Sequence, residues 1–236
     1  MSKVAVVTGA GSGVGRAVAL QLAREGWNVG LVGRRRDALA ETIKLAGALG
    51  TRMVAAAGDV GNPAQVSEAA DMIEKQFGAP QVLVAAAGLN IPKRSWDVLS
   101  FEDFQHVMNA NLAGTFNWVQ RVLPAMRTAG EGTIVAIVSE AALAASPKAG
   151  AAYVASKFAQ RGLVQSINAE ERPRGIRATS IHPGDINTPI LDKRPVPPSA
   201  EAREKMLQAE DVAACVMLAI NLPSRAVIEE MLLRPR

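Results

Sequence analysis

Tyr153 and Lys157 stand four residues apart in Tyr153-Val154-Ala155-Ser156-Lys157, a spacing that puts both on one face of a helix, about one turn apart. A phenol beside an ammonium forms an acid/base pair, because the cation favours the phenolate. Bringing a free tyrosine from about 10 to near neutrality takes about three pH units, or about 4 kcal/mol of differential stabilisation. One lysine at a solvated surface does not supply that. The pair therefore needs a second cation or a partly dry site, and without either it is ordinary surface helix.

The elements that must position the pair begin at the N-terminus. Lys3 to Thr8 is a β-branched run leading into Gly9-Ala10-Gly11-Ser12-Gly13-Val14-Gly15, and Arg16 to Glu25 reads as helix. Strand, glycine-rich turn and helix make a dinucleotide site: the backbone can approach a pyrophosphate, which the free N–H groups of the helix start attract. A second strand, Asn28 to Val32, ends at Gly33-Arg34-Arg35-Arg36, with no acid before Asp37. An acidic residue here would accept from the adenosine ribose, whereas arginine accommodates a 2'-phosphate, so NADP is favoured, with NAD possible.

Helix is expected over Asp37–Leu49, strand over Arg52–Ala57, and a helix from an Asn62 cap with Pro63 first, running to about Phe77. The next strand is Val82–Ala86. Ser100 and Asp103 resemble a capping box opening a long helix past Asn111, which Pro124 bends or breaks. Strand Thr133–Val138 ends on Ser139, a small-residue loop spans Glu140–Gly150, and the helix of Tyr153 follows. Strand Arg177–Ile181, a proline-rich mobile loop over Ile190–Ala200, helix Glu210–Asn221 and a last strand over Ala226–Leu233 complete the chain. The alternation predicts an α/β fold: a Rossmann-type, doubly wound parallel sheet of about seven strands with helices on both faces, residues 1–236 forming one domain.

Composition narrows the function. Hydrophobic residues make up 49% and aromatics 4% of the 236, which suits closely packed helices on a sheet. The net charge is +4, but the basic residues are scattered apart from Arg34–Arg36, without aromatic interleaving, so no nucleic-acid partner is expected. The single Cys215 lies in an apolar run and reads as a buried structural thiol. With no leader before Val4 and no apolar run approaching 18 residues, neither export nor a membrane span is expected, and the cytoplasm follows. His106 and His182 have no further ligand at metal spacing, so no metal is expected.

Taken together, these motifs resemble the short-chain dehydrogenase/reductase family over almost the whole chain. Its T-G-x-x-x-G-x-G turn is Thr8, Gly9, Gly13 and Gly15, with Ser12 and Val14 between them; its Asp-Val after the third strand is Asp59-Val60. Its asparagine corresponds to Asn111, its serine to Ser139, its Y-x-x-x-K to Tyr153 and Lys157, and its P-G-x-x-x-T to Pro183, Gly184 and Thr188. Two departures stand out. The usual Asn-Asn-Ala-Gly is Ala85-Ala86-Ala87-Gly88, which removes side-chain hydrogen bonds but leaves Ala87-Gly88 open to backbone approach. Strict spacing from the tyrosine lands on Glu140, yet Ser139 ends the hydrophobic strand as the family's serine does.

The resemblance implies hydride transfer between the nicotinamide and a small alcohol or carbonyl substrate. Tyr153 would move the proton, Lys157 would lower its pKa and hold the ribose, and the oxidised nicotinamide would be the second cation. Ser139 would hold the substrate oxygen, Asn111 support a water chain to Lys157, and Thr188 bind the carboxamide. Arg34 would face the 2'-phosphate and Asp59 and Val60 the adenine. A homodimer or homotetramer formed through the helices around Asn111 and Tyr153 is implied as well. Lys93, Arg94 and Trp96 lie at the pocket entrance or in a surface loop, and Glu140 faces substrate or solvent. Lys193 and Arg194, on the 190–200 loop expected to close over substrate, suit a small and acidic one; the tail Ile228–Pro235 loosely resembles members acting on hydroxy acids or carbonyls. Two other readings compete. A nucleotide-sugar epimerase or dehydratase would want glycine where Ser12 stands and a longer region after Thr188. A non-catalytic dinucleotide sensor or scaffold need not retain all of Asn111, Ser139, Tyr153 and Lys157.

Overall fold

The computed structural model describes residues 3–236. Its strands are β1 (Val4–Thr8), β2 (Asn28–Gly33), β3 (Met53–Ala57), β4 (Val82–Ala85), β5 (Gly132–Ile137), β6 (Ile176–Pro183) and β7 (Glu230–Leu233), in one parallel seven-stranded sheet ordered β3-β2-β1-β4-β5-β6-β7. The α-helices are α1 (Gly13–Arg24), α2 (Arg36–Leu45), α3 (Pro63–Phe77), α4 (Phe101–Met108), α5 (Gly114–Ala129), α6 (Ala151–Glu171), α7 (Ala200–Glu204) and α8 (Ala209–Asn221).

Successive strand residues point to opposite faces, and both faces are covered. On β1, Ala5 and Val7 pack with Val18 and Leu22 of α1 and Val212 of α8, while Val4 and Val6 join Ile73 of α3 and Trp118 of α5. Register holds Thr8 beside Val32 and Val7 beside Val84. From β1 the chain builds outward through β2 and β3, then returns to the other side of β1 as β4. That reversal opens a crevice at the carboxyl ends of β1 and β4, where a doubly wound sheet binds its ligand.

Local chemistry fixes several ends. Asn62 Oδ1 accepts from the N–H groups of Ala64 (3.0 Å) and Gln65 (3.3 Å), with Pro63 as the first residue of α3. Ser100 Oγ accepts from Asp103 N–H at 3.1 Å. A reciprocal capping box not foreseen in the sequence opens α8, between Gln208 and Asp211.

The sequence expectations need several corrections, one of them that the last strand starts at Glu230 and not at Ala226. The helix after the glycine turn begins at Gly13, so Gly13, Val14 and Gly15 form its first turn instead of preceding it. The helix expected over Asp37–Leu49 ends at Leu45, and a 3-10 segment covers Gly47–Arg52. The long helix is interrupted by a π turn at Asn109–Ala113, not at Pro124, which lies inside α5. The turn's extra residue takes up the irregularity and carries Asn111 into the interior. Finally, the 190s are not irregular throughout: Pro189–Lys193 is 3-10 and Ser199 caps α7. Cys215 is only partly buried; burial raises its thiol pKa.

Candidate active site

The crevice is built first from backbone. Thr8 Oγ1 accepts from the N–H groups of Ala86 (3.1 Å) and Ala87 (3.0 Å), tying the ends of β1 and β4. This hydroxyl is a partner for the turn that lacks the usual asparagines. Gly9 has φ +67°, and a Cβ there would lie 2.9 Å from Ala86 O; one at Gly15 would lie 2.4 Å from Gly9 O. Glycine is required at both positions because backbone meets backbone. Arg16 braces the turn, donating from Nη2 to Gly11 O at 2.6 Å and from Nε to Thr42 Oγ1 at 3.1 Å.

Opposite this turn, α6 presents Tyr153 and Lys157. Both border a cleft of about 590 Å³ with Gly9, Ser12, Gly13, Val14 and Gly15 from the turn. Gly88 joins them after β4, Ser139 after β5, and Pro183, Gly184 and Thr188 at the end of β6. The two loops that meet at Thr188 are close: a Cβ on Gly13 would lie 3.1 Å from Thr188 Cγ2. Arg34, Asp59, Val60, Ala87 and Asn111 do not line this cleft. Arg34 is exposed beyond β2, and Asp59 Oδ1 accepts from Gly61 N–H at 2.9 Å beyond β3. Val60 packs on Gly114, where a Cβ would come within 2.4 Å of it, and Ala87 is held by Thr8.

Lys157 is 3% exposed, with Nζ 5.6 Å from the Tyr153 ring centroid. Nζ donates to Ile137 O at 2.9 Å and Gln160 Oε1 at 2.7 Å. Burial lowers its pKa to about 7. The phenol moves the other way: burial raises the Tyr153 pKa, while the Ser139 side chain and the Arg194 and Arg94 guanidiniums pull against that rise. Burial is thus the largest influence on the phenol, and Lys157 is not among the groups that lower its pKa.

Asn111 is wholly buried, and its amide is spent on structure. Oδ1 accepts from Leu89 N–H (2.8 Å), while Nδ2 donates to Leu89 O and Ser156 Oγ, both at 3.0 Å. Its carbonyl reaches the lysine through protein atoms. Thr115 Oγ1 donates to Asn111 O (3.0 Å) and accepts from Gln160 Nε2 (2.8 Å), and Gln160 Oε1 takes Lys157.

Two residues here, Gln160 and Thr115, escaped the sequence reading, in which His182 is only a rejected metal ligand and Arg94 stands at the pocket entrance or in a surface loop. Gln160 and Thr115 form that link; Gln160 lies three positions beyond Lys157 and could have been found from helical spacing. His182 Nδ1 lies 3.2 Å from Ser139 O, which makes Nδ1 the protonated nitrogen; burial lowers the His182 pKa. Arg94, left open as pocket or surface, is 5% exposed and lines the cleft, whereas Trp96 is 84% exposed. Glu140 also lines it, paired with Arg234 at 3.2 Å. Among the described residues no group of three or more His, Cys, Asp or Glu is placed to hold a metal.

Comparison with known proteins places this geometry. Residues 3–197 match the family model described as short chain dehydrogenase. The chain is 36% identical over its whole length to sepiapterin reductase of Chlorobaculum tepidum, covering 97% of that protein. It is 34% identical over 99% of its length to glycine betaine reductase ATRR of Emericella nidulans, but spans only 19% of that longer protein. An alcohol dehydrogenase from Thermococcus sibiricus, solved with 5-hydroxy-NADP, superposes with a TM-score of 0.87 at 30% identity, covering 100% of this chain and 97% of the other. A glycine turn at the sheet's switch point, a Tyr-Lys pair across from it and a family match over most of the chain agree: the protein belongs to the short-chain dehydrogenase/reductase family of oxidoreductases.

Proposed function

We propose that the chain, working as a single domain, transfers hydride between a nicotinamide dinucleotide and a small alcohol or carbonyl compound, with Tyr153 handling the proton. NADP(H) is preferred and NAD(H) possible. The observation that carries this reading is the meeting of Ser139, Tyr153 and Lys157 with the glycine turn in one cleft.

The residues present fit such a cofactor. The start of α1 faces the cleft through Gly13 and Gly15, so its free N–H groups suit a pyrophosphate. Arg34, Arg35 and Arg36 are exposed beyond β2 with no carboxylate partner among the described residues, which suits a 2'-phosphate, and the Thermococcus relative carries an NADP derivative. Asp59 and Val60 would flank the adenine; Ala87 and Gly88 leave room at the ribose, and Lys157 would hold its hydroxyls. Pro183, Gly184 and Thr188 would border the nicotinamide, Thr188 binding its carboxamide. The bound nicotinamide supplies the hydride chemistry.

In reduction, the Tyr153 hydroxyl gives its proton to the substrate oxygen; in oxidation the phenolate removes it. Ser139 Oγ hydrogen-bonds that oxygen and fixes its distance from the phenol. The His182 contact to Ser139 O holds the serine's backbone from behind. Asn111 contributes by bracing Leu89 and Ser156. A groove of about 870 Å³ over α4 and α5, bordered by Phe101 (67% exposed) and Phe116 (46% exposed), supports homo-oligomerisation on that face. No helix among the described residues is long and apolar enough to cross a membrane, and we place the protein in the cytoplasm. Tyr153→Phe tests the proton assignment: NADPH binding persists while reduction of a panel of small aldehydes and ketones falls by at least about a hundredfold. Undiminished turnover would refute it.

A further inference from the structure

We propose that the substrate carries a carboxylate beside the reacting carbonyl group, received by Arg94 together with Lys148. This inference rests on the reductase reading. The cations bordering the cleft are Arg94, Lys148, Lys157, Arg194 and Arg234, against the carboxylates Glu140 and Asp185. Both carboxylates are already engaged, Asp185 by Arg194 and Glu140 by Arg234. Three cations remain without a carboxylate among the described residues, and Lys157 belongs to the reacting pair.

Arg94 is the unusual member. It is 5% exposed, and its guanidinium donates to three backbone carbonyls: Ile91 O at 2.6 Å, Lys148 O at 3.0 Å and Lys193 O at 2.6 Å. Those dipoles orient the fork without neutralising it. A buried charge left in that state is costly, and a guanidinium has five N–H donors, so two remain for a ligand. Its planar fork suits a carboxylate above other anions of this size. The bond to Lys148 O places the exposed Lys148 side chain on the same wall.

Position favours a substrate over the cofactor as the anion's source. The pyrophosphate would sit on the glycine turn, and the 2'-phosphate by Arg34. Arg94 and Arg194 instead lie near enough to Tyr153 to act on its phenol. A cleft of about 590 Å³ that must also take the nicotinamide leaves space for a small acid.

The test compares acetoacetate with methyl acetoacetate, the same skeleton with and without the charge, by NADPH consumption at low and high salt. Wild type should favour the acid at least tenfold in kcat/KM, with the preference shrinking at high salt. Lys148→Glu, a surface change that spares the Arg94 contacts, should lower the acid-to-ester ratio at least threefold. An ester used as well as the acid, or a ratio indifferent to salt and to Lys148→Glu, overturns the inference while leaving hydride transfer intact. If neither compound is consumed, the reductase reading loses its support with these substrates, and calorimetry of malonate with the NADPH-loaded protein decides the anion site separately. Saturable binding weakened in Lys148→Glu sustains it; absence of binding, or binding the variant does not weaken, overturns it.

Discussion

Tyr153 is the chain's one tyrosine, so tyrosinate absorbance titrates the proposed proton donor without interference from another phenol. In the cofactor-free protein it should ionise above its ordinary value of 10, because burial outweighs Ser139 and the two arginines. Lys157→Met isolates the lysine's part. A charged Lys157, with Nζ 5.6 Å from the ring centroid, would be worth about 3 kcal/mol at an effective dielectric near 20, or about two pH units of phenol pKa. Yet burial brings the Lys157 pKa to about 7, so the amine is neutral wherever the phenol titrates. Lys157→Met should therefore leave the phenol near its wild-type midpoint, whereas Arg194→Gln should raise it. Saturating NADP+ should lower it in wild type, since the oxidised nicotinamide brings a positive charge. A wild-type midpoint below 10, or an upward shift of about two pH units in Lys157→Met, would refute the reasoning.

Other expectations follow from the same charges. The folded pKa of Lys157, about 7, lies below the unfolded value near 10.4, so the burial penalty is full below pH 7, shrinks as pH rises between the two values and is gone above the higher one. Urea denaturation at pH 7 should thus find cofactor-free Lys157→Met more stable by about 2 kcal/mol after the loss of two hydrogen bonds, with the advantage gone by about pH 10; a destabilised variant at pH 7 would contradict this. Arg34→Ala should cut kcat/KM with NADPH at least tenfold and leave NADH nearly unchanged, and a wild type that prefers NADH would show the end of β2 has been misread. Glu171, 3% exposed between Arg127 (2.6 Å) and Arg174 (2.9 Å), has its pKa held at about 2, chiefly by Arg127. Its folded value lies below its unfolded one, so its stabilisation is present above about pH 4 and lost as pH falls towards 2. Glu171→Gln should cost about 2 kcal/mol at pH 7, less than a fully enclosed pair because both arginines reach solvent, and nothing near pH 2.

What could be read from residues alone was what repeats or sits at an element boundary. Strands of a parallel sheet write themselves as apolar runs, so all seven were found, with ends wrong by a residue or two except at β7, an edge strand with no buried residue, which starts at Glu230 and not at Ala226. Asn62-Pro63 and the glycine turn were legible because each solves a local backbone problem, an orphan donor or a close approach. The π turn at Asn109–Ala113 was not, since nothing in Asn109-Ala110-Asn111-Leu112-Ala113 marks an extra residue, while Pro124 gave a stronger local signal in the wrong place. The placement of Arg94 depends on carbonyls at 91, 148 and 193, which lie up to 99 positions from it in the sequence.

The part of Asn111 shows why a motif and its role differ. The sequence places an asparagine at the right spacing, and the resemblance assigns it a water chain. In the fold its amide clamps Leu89, just past the glycine turn after β4, to Ser156 on α6. That clamp sets how far Gly88 stands from Lys157: a Cβ on Gly88 would lie 3.4 Å from Asn111 Oδ1 and 3.7 Å from Lys157 Nζ. Its carbonyl meets the lysine through Thr115 and Gln160, both buried, and Nζ donates to Ile137 O as well. A carboxamide such as Gln160 holds a fixed donor and a fixed acceptor and does not readily pass a proton along. On the proposed reading the buried link anchors Lys157, and the proton that Tyr153 would give up would be replaced from the cleft side, where Ser139 and the substrate would stand.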